Sequence, residues 1–187
     1  MNTITVYQTT DTIDGSGVRL RPFQDRDAES LCRIINEDQV RQAMVTITYP
    51  FSESDAMKFI EESNTSHQKR FAVLQQGKND LLGCVSLLEI DRMHLQAELS
   101  FFMSERASGK GLMTEAGKIL IKYAFTSLAL NRIYAFHLVD NIGSAKVLEK
   151  LGLSPEGTLR ERVKKNGQFY DVRLLSFLKR EFDQVIK

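Results

Sequence analysis

Two rhythms of apolar residues run along this chain, one alternating and one returning every three to four positions, and they sort it into strands and helices. The first alternating run is Val18-Arg19-Leu20-Arg21, a strand stopped by Pro22. A helix should start near Asp25, because Asp25-Arg26-Asp27-Ala28-Glu29 offers a cap and early acidic residues. Leu31, Ile34 and Ile35 then recur at helical spacing. After the break at Tyr49-Pro50-Phe51, Ser52 or Ser54 can cap a second helix through Ala56, Phe59 and Ile60. Residues 70–74 and 81–90 read as two strands joined by the turn-rich Gln76-Gly77-Lys78-Asn79-Asp80. An alternating run at 97–103 reads as a strand and an amphipathic run at 112–128 as a long helix. A second apolar strand covers 131–139, and a short helix closed by Gly152 covers 140–153. Asn166-Gly167, set between two strand-like runs, is a type I′ hairpin turn. Residues 1–16 are Thr-rich and lead into Asp14-Gly15-Ser16-Gly17, a flexible turn, so they read as an arm or an added strand. With no repeat, low-complexity tract or linker, residues 1–187 are expected to form one mixed α/β domain.

The strand at 97–103 and the helix at 112–128 are joined by Arg106-Ala107-Ser108-Gly109-Lys110-Gly111. Two glycines at a strand-to-helix turn let the backbone approach a ligand with its amides outward. The first turn of the helix adds unpaired N–H groups at the positive end of its dipole. Such a turn suits a phosphate or pyrophosphate, and Arg106 and Lys110 would add charge. Its spacing fits neither a Walker loop nor a Rossmann fingerprint. On these six residues alone, a tight turn without ligand is the competing reading.

The order of motifs downstream adds to the picture. The helix and second strand are followed by Asp140-Asn141-Ile142-Gly143-Ser144, then Pro155-Glu156-Gly157, then the Asn166-Gly167 hairpin. This order resembles the GNAT superfamily of acetyl-CoA-dependent N-acetyltransferases, and within it the RimJ/RimL-type branch, which acetylates protein N-terminal amines and various small amines. The resemblance covers roughly residues 18–180 and is most specific between Glu98 and Gly157. It implies an α/β (α+β) fold: a mixed, mostly antiparallel twisted sheet of about seven strands with helices on both faces. It also implies two central parallel strands that splay apart to admit the cofactor arm. Pantetheine would complete the interrupted ladder against the backbone of Phe101, Phe102 and Met103. Gly109, Lys110 and Gly111, with Arg106, would hold the pyrophosphate beside Leu112, Met113 and Thr114.

Composition narrows the setting. Hydrophobic residues make up 42% and charged residues 26%, as in an ordinary soluble protein. A net charge of +1 supplies no field that would draw the chain to nucleic acid or an anionic membrane. Cys84 lies in the apolar run Leu81-Leu82-Gly83-Cys84-Val85 and reads as core, and with Cys32 as its sole companion no disulfide framework is expected. The start of the chain lacks a basic segment followed by a long apolar run, so a cytoplasmic location is expected. His67, His94 and His137 show no metal-ligand spacing, and no metal is expected.

Acetyl transfer from a thioester needs a neutral amine, an aligned carbonyl and a stabilised thiolate. Glu98 is the leading candidate base, since related enzymes often place a carboxylate early on this strand; an exposed strand residue or a structural ion pair is its other reading. His137 has a suitable intrinsic pKa but reads better as a core histidine. In the RimL-type pattern Asn141 bonds the pantetheine arm and Ser144 assists the departing thiolate, whereas simple helix capping needs only Asp140 or Asn141. Two positions depart from family patterns. Leu148 stands where many GNAT enzymes carry a tyrosine acid, and Glu161-Arg162-Val163 offers no secure match to a RimL-type glutamate. The acceptor site would lie between the first two helices and the late hairpin, near Glu37, Asp38, Glu53, Asp55, Glu61, Glu62, Tyr49 and Phe51. The resemblance therefore implies transfer from acetyl-CoA to a primary amine, foremost the N-terminal amine of a protein such as a ribosomal protein. A polyamine, amino-acid derivative or antibiotic is the rival acceptor, and a non-catalytic acyl-CoA sensor the rival class. It also implies a possible homodimer.

Overall fold

The computed structural model describes residues 12–45 and 47–185. One sheet of eight strands runs through it, in the order β1-β2-β3-β4-β5-β6-β8-β7. The strands are β1 (Ile13–Asp14), β2 (Val18–Pro22), β3 (Lys69–Gln75), β4 (Leu81–Asp91), β5 (Gln96–Met103), β6 (Arg132–Leu138), β7 (Ser154–Lys165) and β8 (Gln168–Leu178). The helices are α1 (Ala28–Ile35), α2 (Asp38–Ala43), α3 (Glu53–Glu61), α4 (Leu112–Thr126), α5 (Ile142–Lys150) and α6 (Lys179–Val185). All pairings are antiparallel except β5 with β6.

Alternation along the central strands sends side chains to two cores. Phe71, Val73, Val85, Leu87, Leu99, Ile133 and Ala135 pack beneath α4, which presents Ala116, Leu120, Ile121, Ala124 and Phe125. On the opposite face Ala72, Leu74, Cys84 and Phe102 meet Leu31, Ile34 and Ile35 of α1 and Ala56 and Ile60 of α3. Helix α3 is capped by Ser52, whose hydroxyl accepts from Asp55 N at 3.1 Å while Asp55 accepts from Ser52 N at 2.9 Å. Asn166 and Gly167 both have positive φ, 49° and 82°, as the type I′ hairpin requires.

Three local readings are corrected. The helix expected from Asp25 opens as a 3-10 turn, Asp25–Asp27, and becomes α-helical only at Ala28. The Asp27 carboxylate caps that turn through Gln24 N, 2.8 Å, and is gripped by Arg21, so it belongs to the turn. A further helix, α2, buries only Val40 and therefore has no apolar period to betray it. The 15–17 segment is not a free turn either, because Gly17 N and Ser16 Oγ donate to Glu115 on α4 at 2.8 and 2.9 Å. Residues 13–14 form the added edge strand against β2; the arm reading for residues 1–11 lies outside the described residues.

The feature that makes a site is the early end of the β5–β6 ladder. The two strands pair only at Gln96↔Arg132, Ala97↔Ile133 and Glu98↔Tyr134. Beyond that point β5 runs on to Met103 and β6 to Leu138 without pairing to each other, so main-chain groups on the facing edges are left for another partner. Gly83 of β4 fixes how the free half of β5 lies. A Cβ there would collide with the Phe102 carbonyl oxygen and come within 2.9 Å of Met103 Cα. Gly83→Ala is expected to push the free half of β5 out of position. The cost should be about 1–3 kcal/mol of stability, read by urea denaturation.

Candidate active site

The splay opens a cleft of about 1290 Å³. Its walls are Phe101, Phe102 and Met103 of β5, the turn carrying Ser108, Gly109 and Gly111, the first turn of α4, and the start of α5. Gly109 and Gly111 have φ of 74° and 79°, values that L side chains rarely adopt, and nothing lies within 4 Å of where their Cβ atoms would be. Backbone conformation, not crowding, demands glycine at both. Gly111 is also the N-cap of α4 and has no side-chain cap, so the amides of Leu112, Met113 and Thr114 begin the helix beside the cleft.

The charges expected beside this turn are placed differently from the sequence reading. Arg106 does not line the cleft: its Nη2 donates to the Leu81 carbonyl at 3.1 Å and its Nη1 lies 3.7 Å from Asp80. Lys110 is likewise outside the lining, and its Nζ donates to the Arg106 carbonyl at 2.7 Å, bracing the turn from behind. What the turn offers an anion is therefore its amides and the helix dipole more than these two cations.

Across the cleft, Asn141 caps α5 by accepting from Ser144 N at 3.0 Å. Capping uses the carbonyl oxygen of Asn141; its amide NH2 is a separate donor, so capping and ligand contact do not compete. Both Asn141 and Ser144 line the cleft. Leu148, at the position of the family tyrosine, is fully buried and unavailable for chemistry. His137 is 7% exposed, faces the α4 side with Ile133 and Ala135, and has Nδ1 2.8 Å from the Leu138 carbonyl oxygen. It is a core histidine.

Glu98 sits at the last paired step of the ladder, opposite Tyr134, on the sheet face that carries α1 and α3. It stands at the root of the splay, outside the cleft lining itself. Burial, reinforced by the Glu89 carboxylate and opposed by Arg162, pushes its carboxyl up to about 7. Tyr134 donates to Glu89 Oε2 at 3.0 Å, and burial together with that bond raises the phenol. Glu89 reaches this face because it sits at a bulge with φ 49°, where the β4–β5 register slips between Leu88 and Asp91. Arg162 of β7 lies 5.8 Å over the Phe136 ring on the same side. Glu156 is a structural acid: Arg132 holds both its oxygens at 2.6 Å and Ser176 Oγ donates to one at 2.6 Å, which draws it down to about 2. Cys84 is buried against Ser86, and burial pushes its thiol up to about 12, so it is no nucleophile. Among the described residues no three His, Cys, Asp or Glu side chains gather as a metal site, and no helix is long and apolar enough to cross a membrane.

A splayed parallel pair, a glycine turn and a helix N-terminus also define a known family, and the family model for the acetyltransferase (GNAT) domain matches residues 18–154. The chain belongs to the GNAT acetyltransferases. It is 30% identical over 172 residues to a putative ribosomal N-acetyltransferase, YdaF, of Bacillus subtilis, covering 89% of this chain and 93% of that one. To the spermidine N(1)-acetyltransferase of Escherichia coli it is 30% identical over 152 residues, 81% of each chain. Its fold matches the microcin C7 self-immunity acetyltransferase MccE, solved with acetyl-CoA and AMP, at a TM-score of 0.80 and 25% identity. That match covers 88% of this chain and 93% of MccE. The mixed, mostly antiparallel sheet is the GNAT fold.

For a GNAT acyltransferase, sequence reasoning missed Tyr134, Glu89 and Arg162, which set the environment of Glu98. Tyr134 was visible only as one residue of an alternating strand, and nothing local pairs it with Glu98. The bulge that re-aims Glu89 depends on a left-handed φ at a residue type that gives no hint of it.

Proposed function

We propose that this GNAT enzyme takes an acetyl group from acetyl-CoA and transfers it to a primary amine, foremost the N-terminal amine of a protein such as a ribosomal protein. The backbone of Phe101, Phe102 and Met103 pairs with pantetheine, and Gly109, Gly111 and the amides of Leu112, Met113 and Thr114 take the pyrophosphate, with Lys110 and Arg106 supporting the turn. Asn141 holds the arm, Ser144 assists the thiolate, and Glu98 removes the amine proton, directly or through water, in a direct attack on the thioester. Glu98 carries this reading. A base poised at about 7 matches an α-amine of pKa ~8 far better than an alkyl amine of ~10.4.

A polyamine is the second reading, favoured by the two carboxylates, Glu89 and Glu98, on the acceptor face. CoA release from acetyl-CoA, measured with N-terminal peptides, spermidine and aminoglycosides, separates the two. The expected result is the highest kcat/KM with the peptides. A higher value with spermidine transfers the assignment to the polyamine. Acetyl-CoA binding without release above background for any amine would point to a sensor and remove the catalytic roles of Glu98 and Ser144.

A further inference from the structure

Helix α2 buries a single side chain, Val40, yet it is tied down at both ends. At its start Gln39 N donates to Glu105 Oε1 at 3.2 Å, and Glu105 N donates to Glu37 Oε2 at 2.6 Å. Glu105 opens a 3-10 turn, Glu105–Ala107, so each carboxylate accepts from an amide in the first turn beside the other, and α2 is fastened to the segment just after β5. At its end the Lys165 ammonium donates to the Arg41 and Gln42 carbonyls at 2.6 and 2.8 Å. Lys165 comes from the tip of the β7–β8 hairpin, more than 120 residues along the chain.

These bonds close a ring. It passes from β5 through Glu105 to α2, through Lys165 to the hairpin, and back by β8 and β6 to the root of the splay. Gln42 and Ala43 on one side of the clasp and Phe169 and Tyr170 on the other line the cleft, so the clasp ties two of its walls together. β8 is anchored by its pairing with β6 and by buried Val172, Leu175 and Phe177, but the tip of the hairpin has no such packing. β7 is exposed along most of its length, and its ladder with β8 slips at Pro155/Gly157 and again at Leu159/Val163. A lysine normally keeps its ammonium in water. Here burial, with Arg41 nearby, draws its pKa down, a cost the two carbonyl bonds offset.

We propose that Lys165 is a specificity-determining residue whose clasp on α2 sets the width of the acceptor entrance, so that the enzyme admits an amine at the end of a slender, extended chain and rejects one with bulk beside it. The proposal rests on the acetyl-CoA reading above and deepens it. A flexible protein N-terminus fits such an entrance; a terminus packed on a folded surface does not.

Non-reacting CoA derivatives test this without knowledge of the true acceptor. Calorimetry on the full chain compares CoA with S-aminopropyl-CoA, which is slender, and S-adamantylmethyl-CoA, which is bulky. The wild type should bind the first two alike and the adamantyl derivative about tenfold more weakly. Lys165→Met should recover most of that loss with CoA affinity unchanged, and Lys165→Arg, which keeps donors, should not. The proposal is overturned if CoA binds but the wild type accepts both derivatives equally, or if Lys165→Met leaves the discrimination intact. Failure of CoA itself to bind the wild type overturns the cofactor reading beneath it, a distinct result.

Discussion

Glu98→Gln is expected to lower kcat by roughly 10²–10⁴-fold, the usual worth of a positioned general base, while making the protein more stable above pH 7. Both effects come from one carboxyl. Held at about 7 by burial and by Glu89, it is half ionised near neutrality and strong enough as a base to take a proton from an ammonium of pKa ~8. The wild-type kcat should therefore rise with pH through about 7, and that limb should vanish in the variant. The stability effect has the opposite sense. In the unfolded chain the carboxyl titrates near ~4.3, so between there and about 7 the folded form retains a proton that the unfolded form has released. Wild-type stability consequently falls as pH rises across that window and levels off above it. Glutamine carries no charge and escapes the loss, a gain of about 1–3 kcal/mol at pH 8 and almost none at pH 4. Thermal melts at both pH values, run beside initial rates with the best acceptor, give the answer. Unchanged kcat removes Glu98 from the chemistry. Loss of activity and of stability together at pH 8 makes it a structural residue.

How much of this was legible in the sequence depends on whether a feature is local. The turn from Ser108 to Gly111 announced itself because two glycines between a period-two run and a period-3.6 run have few other uses, and both adopt the positive φ that the pattern implied. The cap of α5 was legible for a similar reason, since Asn141 and the Ser144 amide it accepts from are neighbours in the chain. Long-range placement was not legible. The pairing of Glu98 with Tyr134 follows from a parallel register fixed by the packing of α4 across both strands, and no local signal carries it. Arg106 looked like a phosphate ligand because of its position, yet the Leu81 carbonyl at the start of β4, 25 residues earlier, and Asp80 just before it claim its guanidinium. The clasp of Lys165 on α2 is the extreme case, since it joins a hairpin whose turn was readable to a helix that was not.

Asp27→Ala should be the most destabilising single change on the α1 side of the molecule, at about 3–5 kcal/mol. Asp27 and Arg21 are 5% and 8% exposed and meet in a two-pronged pair, Nη1 to Oδ2 at 2.6 Å and Nη2 to Oδ1 at 2.8 Å. Arg21 also donates to the Pro22 carbonyl at 3.0 Å, and Asp27 accepts from Gln24 N at 2.8 Å, so the pair ties the end of β2 to the start of α1. Forming such a pair is close to neutral overall, because taking two charges out of water costs about as much as their attraction returns. Removing one partner is different. The guanidinium of Arg21 stays buried with its cost unopposed, and the Gln24 amide loses its acceptor. Against a total stability of roughly 5–15 kcal/mol that is a large share, and for a chain of this size it corresponds to a fall in Tm of roughly 8–15 °C. Replacing both residues, as Arg21→Met with Asp27→Leu, should recover most of the loss, since only the bonds to the Gln24 amide and the Pro22 carbonyl then go unmade. Denaturation midpoints of the two variants decide it. If the double replacement is as unstable as Asp27→Ala alone, the cost lies in the capped 3-10 turn that leads into α1 and not in the orphaned charge.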